Sequence, residues 1–298
     1  MLPTPYVTRR HLLLLSGASA LAACARVPNS NPDGLSELTD AQGNRFLPEY
    51  EPIMDAGYQL PGVPIQFTQG INRRMSGQYL GEAPPNSIDV DPYAKFLYHV
   101  KGDGTAVRYP VGVGRAGRTL SGAATIQTKR PWPSWTPTRN MINREPEVYS
   151  QFAGGVPGGL RNPLGARALY IYRNGRDTFY RVHGTNDMSS IGNSGSAGCI
   201  RMFNQDVIHL YNAISTPMPI NIRGEAESLR VDPENFGRGV EQPPVVLSRE
   251  ELLGPDPTIN DNPPDLDRLF GEGPSLSAAP ALGEPGVVQV SGGDFVEL

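Results

Sequence analysis

Two side chains in this sequence form a chemical pair: His183 and Cys199. They sit in His183-Gly184-Thr185-Asn186 and Ser196-Ala197-Gly198-Cys199-Ile200-Arg201, joined by glycines and small polar residues. A thiol becomes a strong nucleophile when it loses its proton, and an adjacent imidazole can take that proton at neutral pH. The chemistry of such a pair is nucleophilic catalysis at the cysteine. A backbone carbonyl near Gly184 can accept the second ring N–H of His183 and fix its tautomer. Gly198 lets the backbone pass close to a ligand, and the N–H groups of Gly198 and Cys199 can point at a developing oxyanion. Ser196 reads equally as a turn residue or a hydrogen-bonding partner of substrate. Arg201 can grip a carboxylate or brace its own loop, and its charge favours a thiolate. Asp187 is near, but nothing in the sequence compels an acid behind His183.

Competing chemistries fail on residue counts. The remaining histidines are His11, His99 and His209, and none lies in a comparable setting. A zinc site lacks a second nearby cysteine, an HExxH run and a third clustered histidine, so no metal is expected. No phosphate-cradling or dinucleotide-binding glycine run is present, and no cofactor is expected. No basic patch interleaved with aromatics points to nucleic acid.

The elements that must hold the pair are mostly strands. Residues 88–91, 96–100, 106–111, 124–127, 168–172 and 178–182 alternate or cluster β-branched and aromatic residues, and the last leads into His183. Gly102-Asp103-Gly104 is a hairpin turn signal. Residues 204–213 have a helical apolar side, with Asn204 as candidate cap, and 218–222 read as a closing strand. The prediction is one mainly β domain over residues 86–224 with one helix after the cysteine. Residues 24–85 read as a tether and an irregular extension over the core. Residues 143–161, ending in Gly154-Gly155-Val156-Pro157-Gly158-Gly159, read as a mobile lid. Trp132 and Trp135, stiffened by Pro131, Pro133 and Pro137, either line a substrate groove or fill the core.

Charge divides the chain. Residues 24–224 hold twenty Lys/Arg against fifteen Asp/Glu, which suits an anionic polymer. Residues 225–298 hold four Arg against fifteen Asp/Glu, with many Pro and Gly, and read as mostly disordered from about 252. Residues 1–23 read as an export signal, with Arg9-Arg10 before a short apolar run. Thr8-Arg9-Arg10-His11-Leu12-Leu13 resembles a twin-arginine signal. Leu21-Ala22-Ala23-Cys24 resembles a bacterial lipobox, which implies lipid on Cys24 and a membrane anchor. Ala25 after it favours the outer membrane, facing the periplasm. With Cys24 lipidated, Cys199 has no disulfide to make, and a thiol kept in an oxidising compartment points to use. A Cys24–Cys199 disulfide is the structural alternative.

The whole pattern resembles the YkuD-type L,D-transpeptidases (the ErfK-YbiS-YcfS-YnhG group). The likeness runs through Tyr109–Arg115, Lys129–Thr138, Asn162–Tyr170 and His183–Met202. It covers about residues 86–224. Ala197 stands where many members carry histidine, a variable position that is not the family's base. The resemblance implies a β-sandwich with a helix after the nucleophile. It implies that Cys199 attacks position three of a peptidoglycan tetrapeptide stem, with His183 managing the proton and D-alanine leaving. It further implies Asn186 on the substrate side, and a second stem, an outer-membrane protein lysine, a D-amino acid or water as acyl acceptor. Two other functions stay open here: an L,D-carboxypeptidase or related murein hydrolase, and a non-catalytic peptidoglycan-binding lipoprotein.

Overall fold

The computed structural model describes residues 36–114, 120–195, 198–243 and 248–254. The export segment, Cys24, Ser196 and the tail beyond residue 254 lie outside them. Two small hairpins open the chain: β1 (Leu38–Thr39) with β2 (Arg45–Phe46), and β3 (Ile53–Asp55) with β4 (Tyr58–Leu60). Then follow β5 (Met75–Gln78), β6 (Ser87–Asp91), β7 (Phe96–Val100), β8 (Thr105–Pro110) and β9 (Gly112–Val113). The second half holds β10 (Gly122–Pro131), β11 (Arg167–Arg173), β12 (Arg176–Thr185), β13 (Ile200–Phe203) and β14 (Met218–Ile222). The α-helices are α1 (Arg139–Arg144), α2 (Pro146–Tyr149), α3 (Asn204–Ala213), α4 (Glu225–Val231) and α5 (Arg249–Leu253).

Ten strands hydrogen-bond in the order β5-β8-β7-β6-β14-β10-β11-β12-β13-β9. Most neighbours are antiparallel; β12 with β13 and β6 with β14 are parallel. One apolar core draws on both halves of this sheet: Ile88, Val90 and Leu97 from one, and Leu169, Ile171, Val182 and Met202 from the other. Val207 and Leu210 of α3 join the same core. On the far side Tyr109 of β8 meets His209 of α3, with Oη and Nδ1 2.7 Å apart. The sheet therefore wraps around the helix that follows the cysteine, which is the sandwich-like arrangement expected.

Three local expectations change. Asn204 is the first residue of α3 and does not cap it. Its amide instead accepts from Ala166 N–H at 2.9 Å and donates to the Thr185 carbonyl at 3.1 Å. The helix start is thus sewn to the ends of β11 and β12. The extension is also less irregular than expected: Met75–Gln78, without apolar alternation, pairs along β8 as an edge strand. A backbone ladder needs no side-chain pattern, so sequence periodicity gave no sign of it. Finally, the segment 143–161 is partly helical, and Thr138 Oγ1 caps α1 by accepting from Met141 N–H.

Trp132 belongs to the core of this fold. It is 3% exposed and packs on Tyr58, with ring centroids 4.2 Å apart. Its indole N–H donates to Asp55 at 2.8 Å. The same carboxylate accepts two bonds from the Arg167 guanidinium, both 2.7 Å. The Trp132 backbone stands at φ 40°, a region costly for a bulky residue, and persists where neighbours over-determine it. Asp55→Ala strips both partners and will destabilise the protein by about 2–3 kcal/mol, measured by urea unfolding. An unchanged midpoint would mean that the first hairpins ride on the domain without bracing it.

Candidate active site

His183 lies near the end of β12 and is buried. Its Nδ1 stands 2.6 Å from its neighbour's carbonyl, Gly184 O. A carbonyl only accepts, so Nδ1 carries the proton and Nε2 is left as the basic nitrogen. Gly184 is dictated by space: a Cβ there would sit 2.1 Å from Asn204 Oδ1.

Cys199 precedes β13 by one residue. In the parallel β12–β13 ladder Val182 pairs with Ile200 and His183 with Arg201. One step back along both strands, Cys199 comes level with Arg181. Strand periodicity then sends His183, Arg181 and Arg201 to one face. The Arg181 backbone N–H bonds the Cys199 thiol. Gly198, at φ 139°, adopts backbone that other residues rarely enter, and so shapes the approach to the nucleophile.

Burial dominates the electrostatics. It pushes the Cys199 thiol up, against the Arg181 N–H and the charges of Arg181 and Arg201. It pushes His183 down to about 3, helped by Arg201 and opposed by the Gly184 carbonyl. Arg201 favours the thiolate as its charge suggests, but it does not decide the resting state. Desolvation wins, and the resting pair is neutral thiol and neutral imidazole. Only protonated His183 is inactive as a base, so the rate is held as pH falls from 7 through 5 and lost only towards 3. A kcat/KM profile with an acid limb near 6.5 would contradict this.

Arg201 Nη1 lies 3.4 Å from Asp187 Oδ2, so Asp187 partners the arginine and not His183. The Asn186 amide donates to the Asn162 carbonyl at 3.2 Å. Trp135 is half-buried beside Tyr149 and Phe152, and its backbone bridges Val156 in both directions. It braces the base of the 139–161 arm. Arg181 was missed in the sequence, although it lies two residues from His183 on a strand. Asp177 holds its guanidinium through two bonds, 2.6 and 2.7 Å, and Tyr170 lies 4.3 Å beneath it.

A family model for the L,D-transpeptidase catalytic domain, YkuD, matches residues 85–222. That segment is a YkuD-family domain. Among curated relatives, "Probable L,D-transpeptidase YbiS" of Escherichia coli K12 is 30% identical over 67% of this chain and 60% of its own length. "Probable L,D-transpeptidase ErfK/SrfK" of the same strain is 32% identical over 67% and 59%. The chain thus spans about three-fifths of these relatives. A solved chain from Brucella melitensis, described as a probable carnitine operon oxidoreductase, is 41% identical over 51% of this chain and 94% of its own, with TM-score 0.37. The YkuD domain of this protein holds both His183 and Cys199, and ends just short of the segment that runs from Arg223 to Gly254.

Proposed function

We propose that this protein is an L,D-transpeptidase acting on peptidoglycan tetrapeptide stems. One observation carries the reading: Nδ1 of His183 is committed to a backbone carbonyl, leaving Nε2 as base in a ladder that also delivers Cys199. As Sγ attacks the carbonyl of the third stem residue, its proton passes to Nε2. The N–H groups of Gly198 and Cys199 stabilise the oxyanion. The C–N bond to the terminal D-alanine breaks, and the imidazolium gives that amine its proton. A thioester remains on Cys199. An acceptor amine then attacks, loses its proton to His183, and the expelled sulfur takes it back. Arg201, steadied by Asp187, is suited to a stem carboxylate.

The surroundings support the reading. The excess of Lys/Arg over residues 24–224 suits an anionic wall polymer. Export, by a twin-arginine route, and lipid on Cys24 would place the enzyme at the outer membrane facing the periplasm. The acceptor is a second stem, giving a 3–3 cross-link, or a lysine of an outer-membrane protein. Incubation with purified tetrapeptide-stem muropeptides, followed by mass spectrometry, tests this. Dimers and an acyl adduct on Cys199 are expected. Trimmed monomers alone would make it a carboxypeptidase, and unchanged substrate would end the enzymatic reading.

A further inference from the structure

The strand that carries His183 loses one sheet partner where the base sits. The β11–β12 ladder ends at the pair Ala168–His183. Two residues further on in the same register, Ala166 would come opposite Thr185. The side chain of Asn204 fills that place. Its Oδ1 accepts from Ala166 N–H at 2.9 Å, and its Nδ2 donates to the Thr185 carbonyl at 3.1 Å. A carboxamide carries the same donor and acceptor as a peptide group, so it stands in for the next rung of the ladder. The fit is close. A Cβ on Gly165, at φ 62°, would stand 2.3 Å from Asn204 Oδ1 and 2.7 Å from the Gly184 carbonyl carbon. Asn204 is buried in this junction.

Asn204 is itself held in place. The next two residues tie the first turn of α3 to the segment before the YkuD match. Gln205 donates to the Glu51 and Pro61 carbonyls at 3.2 and 2.9 Å, and Asp206 accepts from Tyr50 Oη at 3.0 Å. The consequence falls on one stretch of backbone. On one side of it Gly184 and Thr185 pair with Met202 and Phe203 of β13. On the other the Asn204 amide holds the Thr185 carbonyl and packs against Gly184, where it leaves no room for a Cβ. Between them the Gly184 carbonyl is aimed at His183 Nδ1, 2.6 Å away. Which ring nitrogen keeps the proton is set by the hydrogen bond that nitrogen makes.

We propose that Asn204 is a positioning residue for His183: its amide fixes the backbone at Gly184 and Thr185 so that the Gly184 carbonyl keeps the ring proton on Nδ1 and leaves Nε2 for the Cys199 proton. It acts through the backbone and not on the reacting atoms. The proposal rests on His183 serving as base, as in the transpeptidase reading, but not on which acyl donor Cys199 attacks. The charged side chains on the elements packed around Asn204 are engaged elsewhere: Arg167 with Asp55, Asp206 with Arg74, and Asp187 with Arg201. The amide is therefore the group that sets this junction.

The test uses the full chain and three readouts. Ring-nitrogen NMR gives the His183 tautomer, its signals assigned by their loss in His183→Asn. Mass spectrometry of the Cys199 peptide gives the rate of alkylation by iodoacetamide. Muropeptide turnover gives the reaction itself. In the wild type the ring proton should reside on Nδ1. Asn204→Ala should spread it over both nitrogens and slow alkylation at pH 7 roughly tenfold to a hundredfold, the scale of a small misplacement of a reacting group. Asn204→Asp preserves the size of the side chain and serves if the alanine variant does not fold. A carboxylate can accept from Ala166 N–H but cannot donate to the Thr185 carbonyl, whereas the neutral acid can do both. Its alkylation rate relative to wild type should therefore rise as the pH falls from about 8 to 5. A carboxylate acting only through its charge would strengthen His183 as a base and give the opposite slope. An Nδ1–H tautomer with wild-type alkylation in folded Asn204→Ala overturns the proposal, as does an Asn204→Asp ratio that stays flat or falls on acidification. The expected tautomer and alkylation changes with no muropeptide turnover, even in the wild type, keep the positioning role and remove the transpeptidase reading.

Discussion

His183→Asn will lower kcat/KM at pH 7 by about 10²–10⁴-fold and leave the fold in place. The asparagine amide can still donate to the Gly184 carbonyl that now holds Nδ1 at 2.6 Å, so the local anchor survives. What disappears is the basic nitrogen. The residual activity should carry a signature. With burial holding the Cys199 thiol protonated, the variant depends on the small thiolate fraction present at each pH. Its rate should therefore climb about tenfold per pH unit up to the thiol's raised pKa. The wild-type rate should be flat over the same range, since the imidazole takes the proton during attack. Adduct formation followed by intact-protein mass spectrometry reads both. A variant within tenfold of wild type at pH 7, with no pH slope, would show that Cys199 is activated by the flanking arginines and not by His183.

The sequence pointed to this pair because two reactive residues in glycine-rich surroundings are rare, and strands such as 168–172 announce their burial by a continuous apolar and aromatic run. The parallel ladder between β12 and β13 was not legible. It arises because the chain leaves β12 at Thr185, turns through Ile191–Gly195 against β9 and returns beside itself. Arg181 was hidden for the same reason: its relevance comes from facing Cys199 across strands, which spacing along one strand does not show. Trp132 stood open between groove and core, and a long-range contact decides it: Asp55, far away in the sequence, takes its N–H.

Arg223 is where the largest loss of stability is expected. It stands one residue past β14 and is 1% exposed. Its Nε and Nη2 donate to Asp89 Oδ2 at 2.8 and 2.6 Å, and its Nη1 to Asp91 Oδ2 at 3.0 Å. Both carboxylates are wholly buried. Tyr79 Oη adds a bond to Asp89 at 2.6 Å, and Ser228 of α4 one to Asp91 at 2.6 Å. One guanidinium therefore joins β6, the end of β14, the strand-linking segment at Tyr79 and α4. Replacing the cation by Arg223→Met leaves two buried carboxylates without it. Removing one partner of such a pair costs about 3–5 kcal/mol, because the remaining charge stays desolvated. For a body of this size, that corresponds to a fall in Tm of roughly 6–20 °C. Arg223→Lys should recover only part of it, since an ammonium cannot span both carboxylates with the geometry of a planar fork. Adding Asp89→Asn to Arg223→Met should also recover part, by removing one of the stranded charges. If Arg223→Met unfolds at the wild-type temperature, the cluster is hydrated in solution and β6 is held by its ladder alone. Because Arg223 follows the last residue of the YkuD match, the family domain closes on a charge contributed from just outside it.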